Sequence, residues 1–196
     1  MQRRSFMLKS TAVLTLGGLV LAGCTTNRNA GSEQAAGAAD LHRSIDADVD
    51  STLQRLYATV KGSRELVEKG SGVLVFPSVI QAGFVVGAQY GKGSLRVGGQ
   101  TVGYYSTTSG SFGLQAGAQS KALIFVFMTQ DALARFRNSN GWSAGADASV
   151  ALARMGANGK IDTTTASKPV QAFVLTNAGL MADASLEGTK VSRLTE

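Results

Sequence analysis

Residues 122–128 read Ala122-Leu-Ile-Phe-Val-Phe-Met128, an unbroken apolar run with two phenylalanines. Such a short run without alternating polar residues is typical of a central strand that is buried on both faces of a sheet. Thr129, Gln130 and Asp131 follow the run and predict the start of a short helix that extends to about Arg137. The run therefore predicts a buried sheet with a helix directly after its central strand.

The segments on either side of this run predict further strands. Ala82–Tyr90 and Ser111–Gln119 alternate apolar residues with small or polar ones, and each contains the triplet Gly-Ala-Gln. Alternation with a period of two is the pattern of a half-buried strand. Pro77 predicts the end of the first strand. The predicted strands are Gly72–Phe76, Ala82–Tyr90, Ser111–Gln119, Ala144–Leu152 and Val170–Leu175, with turns at Asn158-Gly159 and Asn177-Ala178-Gly179.

One face of the alternating strands carries glycine, serine, glutamine and aspartate. Glycine weakens a strand, so several of them on one face need a reason. Three reasons stay open: curvature of the sheet toward closure, close approach of a backbone or ligand, or a polar face that meets water. Many antiparallel strands with few helices predict an α+β domain, with a curved, mostly antiparallel, glycine-rich sheet that is either barrel-like or a sandwich.

An amphipathic helix precedes the strands. Asp40 is its predicted N-cap and Gly62 its predicted stop, and a shorter helix is predicted over Ser63–Lys69. The apolar stripe, at helical steps of three and four, is Leu41, Ile45, Val49, Leu53, Leu56 and Val60. The opposite face carries Arg43, Asp46, Asp48, Asp50, Gln54 and Lys61. The helix either packs on the domain core or also lies on lipid, and its aspartates count against the lipid surface because interfacial helices favour basic polar faces.

The N-terminal residues have the composition of an export signal. Arg3, Arg4 and Lys9 accompany Ala12–Ala22, an apolar run of 11 residues that has the length of a signal-peptide core and is too short to span a bilayer. The run ends Leu21-Ala22-Gly23-Cys24, which resembles the lipobox of bacterial lipoproteins. In that class of protein, Cys24 receives a diacylglyceryl group and becomes the new N-terminus after cleavage.

The lipobox predicts three segments: a signal peptide over residues 1–23, a flexible tether over 24–39 and a single domain over 40–196. Residues 25–39 contain no valine, isoleucine, leucine, methionine or aromatic residue, so they cannot build a core. Thr25 follows the cysteine at the position where lipoproteins retained in the inner membrane usually carry aspartate. By that resemblance the chain is predicted to be anchored in the outer membrane and to face the periplasm, with exposure at the cell surface left open. The arginine pair fits export by either the general or the twin-arginine route.

The composition excludes several classes of function. One cysteine and one histidine in 196 residues exclude a disulfide framework and clustered Cys/His metal sites, so no metal or cofactor is predicted. Removal of the three basic signal residues lowers the net charge from +6 to +3, which does not support nucleic-acid binding. The chain has no phosphate-binding loop, dinucleotide fingerprint or nucleophile elbow, so a non-catalytic protein is predicted, with paired carboxylates as the open route to a hydrolase.

Two single residues have alternative interpretations. His42 is interpreted as a solvated residue in the first turn of the amphipathic helix, because it has no second histidine and no cysteine with which to share a metal. Trp142 follows the predicted short helix and is interpreted as a core residue, with an anchor at the membrane interface as the alternative.

Several segments together resemble the SYLF domain family. They are Gly72–Pro77, Ala82–Gly87, Gly113–Gln119, Ala122–Met128 and Gly179–Gly188, and the resemblance extends from about residue 60 to residue 196. The resemblance implies a phospholipid-binding module, because eukaryotic members bind phosphoinositides near membranes and bacterial members are often short lipoproteins. Some eukaryotic members act with actin, and that role is not expected of a bacterial protein.

The predicted function is that of a membrane-anchored lipoprotein whose domain binds phospholipid. The alternative is an envelope protein that binds another protein or has a structural role without a lipid ligand. Basic side chains near a bilayer attract phosphates, and the alternative interpretation of these charges is a solvated surface. The predicted lipid-binding residues are Lys61, Arg64, Lys69, Lys92 and Arg96, with Cys24 as the lipidation site.

Overall fold

Three helices and a nine-stranded sheet form the fold, in a computed structural model that describes residues 30–83, 86–112, 119–154, 161, 168–181 and 184–194. The helices are α1 (Ala30–Thr59), α2 (Ser63–Lys69) and α3 (Gln130–Asn138). The strands are β1 (Gly72–Gly83), β2 (Val86–Val97), β3 (Gln100–Phe112), β4 (Gln119–Phe127), β5 (Trp142–Ser143), β6 (Val150–Leu152), β7 (Val170–Thr176), β8 (Gly179–Leu180) and β9 (Lys190–Arg193). The predicted α+β class and the predicted short helices are confirmed.

The sheet is a curled half-barrel with the strand order β5-β9-β3-β2-β1-β4-β7-β6, and β8 pairs with β7. The long strands β1 to β4 lie at its centre and pair in antiparallel fashion. Among the described pairs, β6 and β7 alone are parallel. The sheet is therefore curved and mostly antiparallel, as predicted.

Strand β4 is buried on both of its faces, as the apolar run at 122–128 predicts. Leu123, Phe125 and Phe127 belong to a core with α3 and the C-terminal strands. Ile124 and Val126, which point the other way, belong to a second core with α1. Two cores on opposite faces of one strand explain why its sequence shows no alternation.

Helix α1 packs its apolar stripe on the sheet. Ile45, Val49, Leu56 and Val60 are buried, and each such side chain contributes about 1.5–3 kcal/mol by leaving water. Leu41, the first residue of the stripe, is 38% exposed. The predicted packing of the helix on the core is therefore confirmed, and its first apolar residue extends past that core.

The bounds of α1 differ from the predicted ones. The helix begins at Ala30 rather than at Asp40, so residues 30–39 of the predicted tether are helical. Asp40 lies inside the helix and forms an ion pair with Arg43 one turn later. The helix ends at Thr59, and Gly62 adopts a left-handed φ of 87° at the start of α2, a conformation that glycine tolerates without strain.

Strand β1 continues through Pro77, which was predicted to end it. Its register with β2 shifts between Val75 and Ser78, so the proline sits in a bulge where no ladder hydrogen bond is required of it. Gly93 of β2 packs against this bulge: an added Cβ would lie 1.9 Å from the carbonyl oxygen of Val75. Close approach of a backbone therefore explains this glycine.

Two more predicted strands differ from the observed ones, and a third lies mostly outside the described residues. Ala82–Tyr90 spans the junction of β1 and β2, whose partners Ala82 and Ala88 place a hairpin where one strand was predicted. The alternation continues across the turn, so the pattern does not reveal it. In Ala144–Leu152 the strand covers Val150–Leu152, because Gly145 (φ 90°) begins a turn. Most of Ser111–Gln119 and the turn at Asn158-Gly159 lie outside the described residues.

Helix α3 and Trp142 close the core on the face of the sheet opposite α1. The Thr129 hydroxyl caps the helix by accepting a hydrogen bond from the backbone N–H of Ala132 at 3.2 Å. Trp142 is 2% exposed and packs edge-on against Phe125 and Phe136, with ring centroids 5.3 and 5.7 Å away. The core interpretation of Trp142 is thus confirmed. Across the described ranges, no helix is long and apolar enough to cross a membrane.

Candidate functional site

The five basic residues predicted to bind lipid lie at two ends of the domain. Lys61, Arg64 and Lys69 are exposed on α2 and the turn before it. Arg96 lies on β2 at this same end, beside the glycine turn that leads into β3. Lys92 also lies on β2, beside the N-terminal half of α1. The structure therefore does not gather the five side chains into one basic cluster.

Arg96 connects α1 to the sheet. Its Nη2 donates to Asp50 Oδ1 at 2.9 Å and to the backbone carbonyl of Asp46 at 3.2 Å. Its Nη1 donates to the carbonyl of Gly99 at 3.3 Å, and the side chain is 15% exposed. These contacts fix the helix on the sheet, and a part for Arg96 in lipid binding stays a prediction.

Asp46 accepts hydrogen bonds from three hydroxyl groups of β2 and β3. Tyr104 donates at 2.8 Å, Thr101 at 2.8 Å and Ser94 at 3.1 Å. Burial alone would raise the pKa of Asp46, but these hydrogen bonds and the Arg96 charge outweigh it and hold the pKa below 3.8. We call Asp46, Ser94, Arg96, Thr101 and Tyr104 the Asp46 latch. The carboxylate was predicted on the solvent face of the helix, and it instead faces the sheet.

His42 packs on the ring of Tyr104, a member of the latch. The two rings are parallel within 2° and their centroids are 3.7 Å apart. The interpretation of His42 as a solvated residue is therefore wrong, because a half-buried stack on β3 holds it. No group of three or more His, Cys, Asp or Glu in the described ranges could hold a metal ion.

A cavity of about 400 Å³ lies between α1, α2 and the turn after β2. Leu53, Tyr57 and Val67 form apolar walls, and Arg96 lies at one side. The guanidinium of Arg64 stacks 4.3 Å from the ring centroid of Tyr57. Two of the predicted lipid ligands, Arg64 and Arg96, thus have partners within the protein at this end.

A second, more apolar site lies at the other end, between the N-terminal half of α1 and strands β1 and β2. This apolar groove has a volume of about 260 Å³. Leu41, Ile80 and Tyr90 line it and are 38%, 53% and 47% exposed. Within the described ranges they are three of the four exposed large hydrophobic side chains. The other lining residues are Ser44, Ile45, Asp48, Pro77, Ser78, Gly91 and Lys92.

The apolar groove was not predicted from the sequence. Leu41 was assigned to the helix stripe and Tyr90 to an alternating strand, and both patterns predict burial. The groove exists because the core under α1 begins at Ile45, while β1 and β2 continue past it to Ile80 and Tyr90. The one sequence signal for it is that the stripe of α1 starts a full turn before its first buried residue.

The C-terminal part of the chain matches a family model. Residues 108–196 match the family model Ysc84, which is described as a Las17-binding protein actin regulator. The match begins near the end of β3, whereas the resemblance read from the sequence begins at about residue 60. The apolar groove and the Asp46 latch lie before residue 108, so the match does not extend over them. No curated protein matches the chain.

Proposed function

We propose that this chain, which carries a Ysc84 (SYLF) domain at residues 108–196, is a lipoprotein that is anchored through Cys24 and binds phospholipid without catalysing a reaction. The proposed location is the periplasmic side of the outer membrane. Cys24 and the signal peptide lie outside the described residues, so the anchor is supported by the lipobox pattern alone.

The observation that carries the lipid-binding proposal is the apolar groove. Leu41, Ile80 and Tyr90 expose apolar surface at one place on the domain rather than scattered over it. Gathered exposed apolar side chains are typical of protein or membrane contacts. Tyrosine suits a membrane interface in particular, because its ring enters the apolar layer while its hydroxyl stays at the headgroups.

The position of the groove fits an anchored domain. Leu41 lies about 17 Å along α1 from Ala30, at 1.5 Å per residue. The segment from Cys24 to Ala30 spans at most about 20 Å when fully extended. The anchor therefore keeps the end of the domain that bears the groove close to the bilayer.

Apolar contact, rather than charge, dominates the proposed binding. Complete burial of a large apolar side chain is worth about 1.5–3 kcal/mol, so the roughly half-exposed Leu41, Ile80 and Tyr90 together offer about 2–4 kcal/mol. Lys92 near an anionic surface adds about 1 kcal/mol, and Asp48 in the same groove opposes it. Binding is therefore expected to depend little on anionic lipid and on salt.

Flotation with vesicles tests the proposal on a chain that begins at Thr25 and so lacks the anchor. All buried hydrophobic residues of the described ranges lie between Ile45 and Val191, so this chain keeps its core. We expect it to float with vesicles of phosphatidylcholine, with or without phosphatidylglycerol. Ile80→Ser is expected to weaken flotation several-fold, whereas Met181→Ser, a matched exposed residue (39%) outside the groove, is expected to leave it unchanged.

Absence of flotation with both vesicle types would exclude lipid binding by the domain. Equal effects of Ile80→Ser and Met181→Ser would exclude the groove as the contact. The alternative function is protein binding, which the description of the matched family names for that family. A periplasmic protein that is captured without lipid, and is lost in Ile80→Ser, would favour this alternative.

A further inference from the structure

The apolar groove continues along α1 into a polar groove. This second groove has a volume of about 280 Å³ and is lined by Asp48, Ser51, Thr52, Arg55, Pro77 and Ser78. Asp48, Pro77 and Ser78 line both grooves, so the two form one channel between the helix and the bulge of β1. The channel changes from apolar near Leu41 to charged near Arg55.

The spacing of residues in α1 accounts for one wall of this channel. Leu41, Ser44, Asp48, Ser51 and Arg55 follow each other at steps of three, four, three and four, so they form one line along the helix. This line runs beside the buried stripe and remains open because the bulged part of β1 lies next to it. Helix α1 thus has one face that packs on the core and, beside it, a second face that changes from apolar at Leu41 to charged at Arg55.

Three charged side chains that line the channel have no ion-pair partner among the described residues. Within the described residues, neither Lys92 nor Arg55 has a carboxylate within ion-pair distance, and Asp48 has no cation within that distance. Lys92 and Asp48 both line the apolar groove. A ligand that complements them carries an anion and a cation close together, next to an apolar part.

We propose that the channel binds the headgroup of a zwitterionic phospholipid that bears a primary amine, with its phosphate on Lys92, its ammonium on Asp48 and its acyl chain against Leu41, Ile80 and Tyr90. In phosphatidylethanolamine the ammonium is separated from the phosphate by two carbons and has three N–H donors for a carboxylate. Phosphatidylcholine has the same phosphate and charge, but its quaternary nitrogen donates no hydrogen bond. The inference rests on the proposed function for the ligand class and adds the choice of headgroup.

The test compares phosphatidylethanolamine with phosphatidylcholine in vesicles that are matched in acyl chains and size, with the chain that begins at Thr25. We expect partitioning to be about twofold to fivefold stronger with phosphatidylethanolamine, as one partly exposed charged contact provides. Asp48→Asn is expected to bring this ratio to about one. Glu65→Gln, an exposed acidic residue of α2 outside the channel, is the matched control and is expected to keep the ratio.

The variants separate recognition of the amine from a general effect of lipid packing. Phosphatidylethanolamine also loosens the packing of headgroups, and a preference of that origin would survive in Asp48→Asn and would overturn the inference. Lys92→Gln is expected to weaken binding to both lipids, whereas Arg55→Gln is expected to leave the ratio unchanged. A preference for phosphatidylglycerol that is lost in Arg55→Gln would identify an anion site and would also overturn the inference.

Different results would contradict the phospholipid-binding function and the choice of headgroup. Absence of binding to every vesicle removes both. Equal binding to phosphatidylethanolamine and phosphatidylcholine, together with the loss expected for Ile80→Ser, removes the choice of headgroup and retains the phospholipid-binding function.

Discussion

Replacement of Asp46 by alanine tests the Asp46 latch. The substitution removes the acceptor for Tyr104, Thr101 and Ser94 and one contact of Arg96. A hydrogen bond to a charged group contributes about 1.5–3 kcal/mol, and breaking a buried charge pair costs about 3–5 kcal/mol. The Asp46 side chain is 30% exposed, so water replaces part of what is lost. We therefore expect a loss of about 2–4 kcal/mol in the free energy of unfolding.

Urea unfolding at neutral pH, followed by circular dichroism, measures this loss. For a domain of this size it corresponds to a fall in melting temperature of about 4–16 °C. Asp48→Ala is the matched control, since Asp48 lies two residues further along the same helix and is exposed. Its expected effect is within about 0.5 kcal/mol. If Asp46→Ala costs no more than Asp48→Ala, the latch does not hold α1 on the sheet and the reasoning is refuted.

Three further predictions concern the latch, the bulge and the core. The pKa of Asp46 is lower in the folded state, so its ionised form stabilises the protein above pH 3.8. In urea unfolding across pH, the difference in the free energy of unfolding between the protein and Asp46→Asn should shrink below that pH. A difference that stays constant with pH would contradict the shift. Gly93→Ala should cost at least about 2 kcal/mol, because its Cβ would meet the Val75 carbonyl, whereas Gly110→Ala has open space and should be nearly neutral in the same assay. Trp142 fluorescence should be blue-shifted and unchanged by vesicles, since the residue is buried opposite α1; a vesicle-dependent shift would instead indicate a membrane anchor.

The sequence predicts those elements whose burial is uniform along their length. The run at 122–128 predicts a strand correctly, and the stripe of α1 from Ile45 onward predicts a helix correctly, because each faces a continuous core. The prediction of a single strand over Ala82–Tyr90 is wrong because Ala82 pairs with Ala88 of the next strand, while the alternation in the sequence continues through the whole segment. The prediction that Pro77 ends the first strand is wrong because the proline lies in a bulge, where its nitrogen needs no hydrogen-bond partner.

The candidate site was harder to predict, because it depends on where elements end relative to each other. Five basic residues were predicted to meet lipid, and of these Lys92 alone lines the apolar groove. In the sequence, Arg96 and Lys92 are both basic residues of one predicted surface, and nothing separates their roles. In the structure, Arg96 donates hydrogen bonds to α1 and to the turn after β2. Ile80 became a candidate only through its exposure, which depends on how far the core extends under α1.

Helix α1 carries the buried stripe, the Asp46 carboxylate of the latch and one wall of the channel, and the position of each depends on the other two. Its buried stripe and the Asp46 latch fix its position on the sheet, and that position leaves the channel open between Asp48 and the bulge at Pro77. In the proposed function, the anchor at Cys24 holds this channel at the membrane at a high effective concentration of lipid, in the millimolar range for short tethers. At that concentration, a contact of about 2–4 kcal/mol, which corresponds to a dissociation constant of roughly 1–30 mM, gives partial occupancy of the channel. Loosening the latch should therefore weaken vesicle binding even though Asp46 does not line the channel, and it should do so without changing the preference for an amine headgroup.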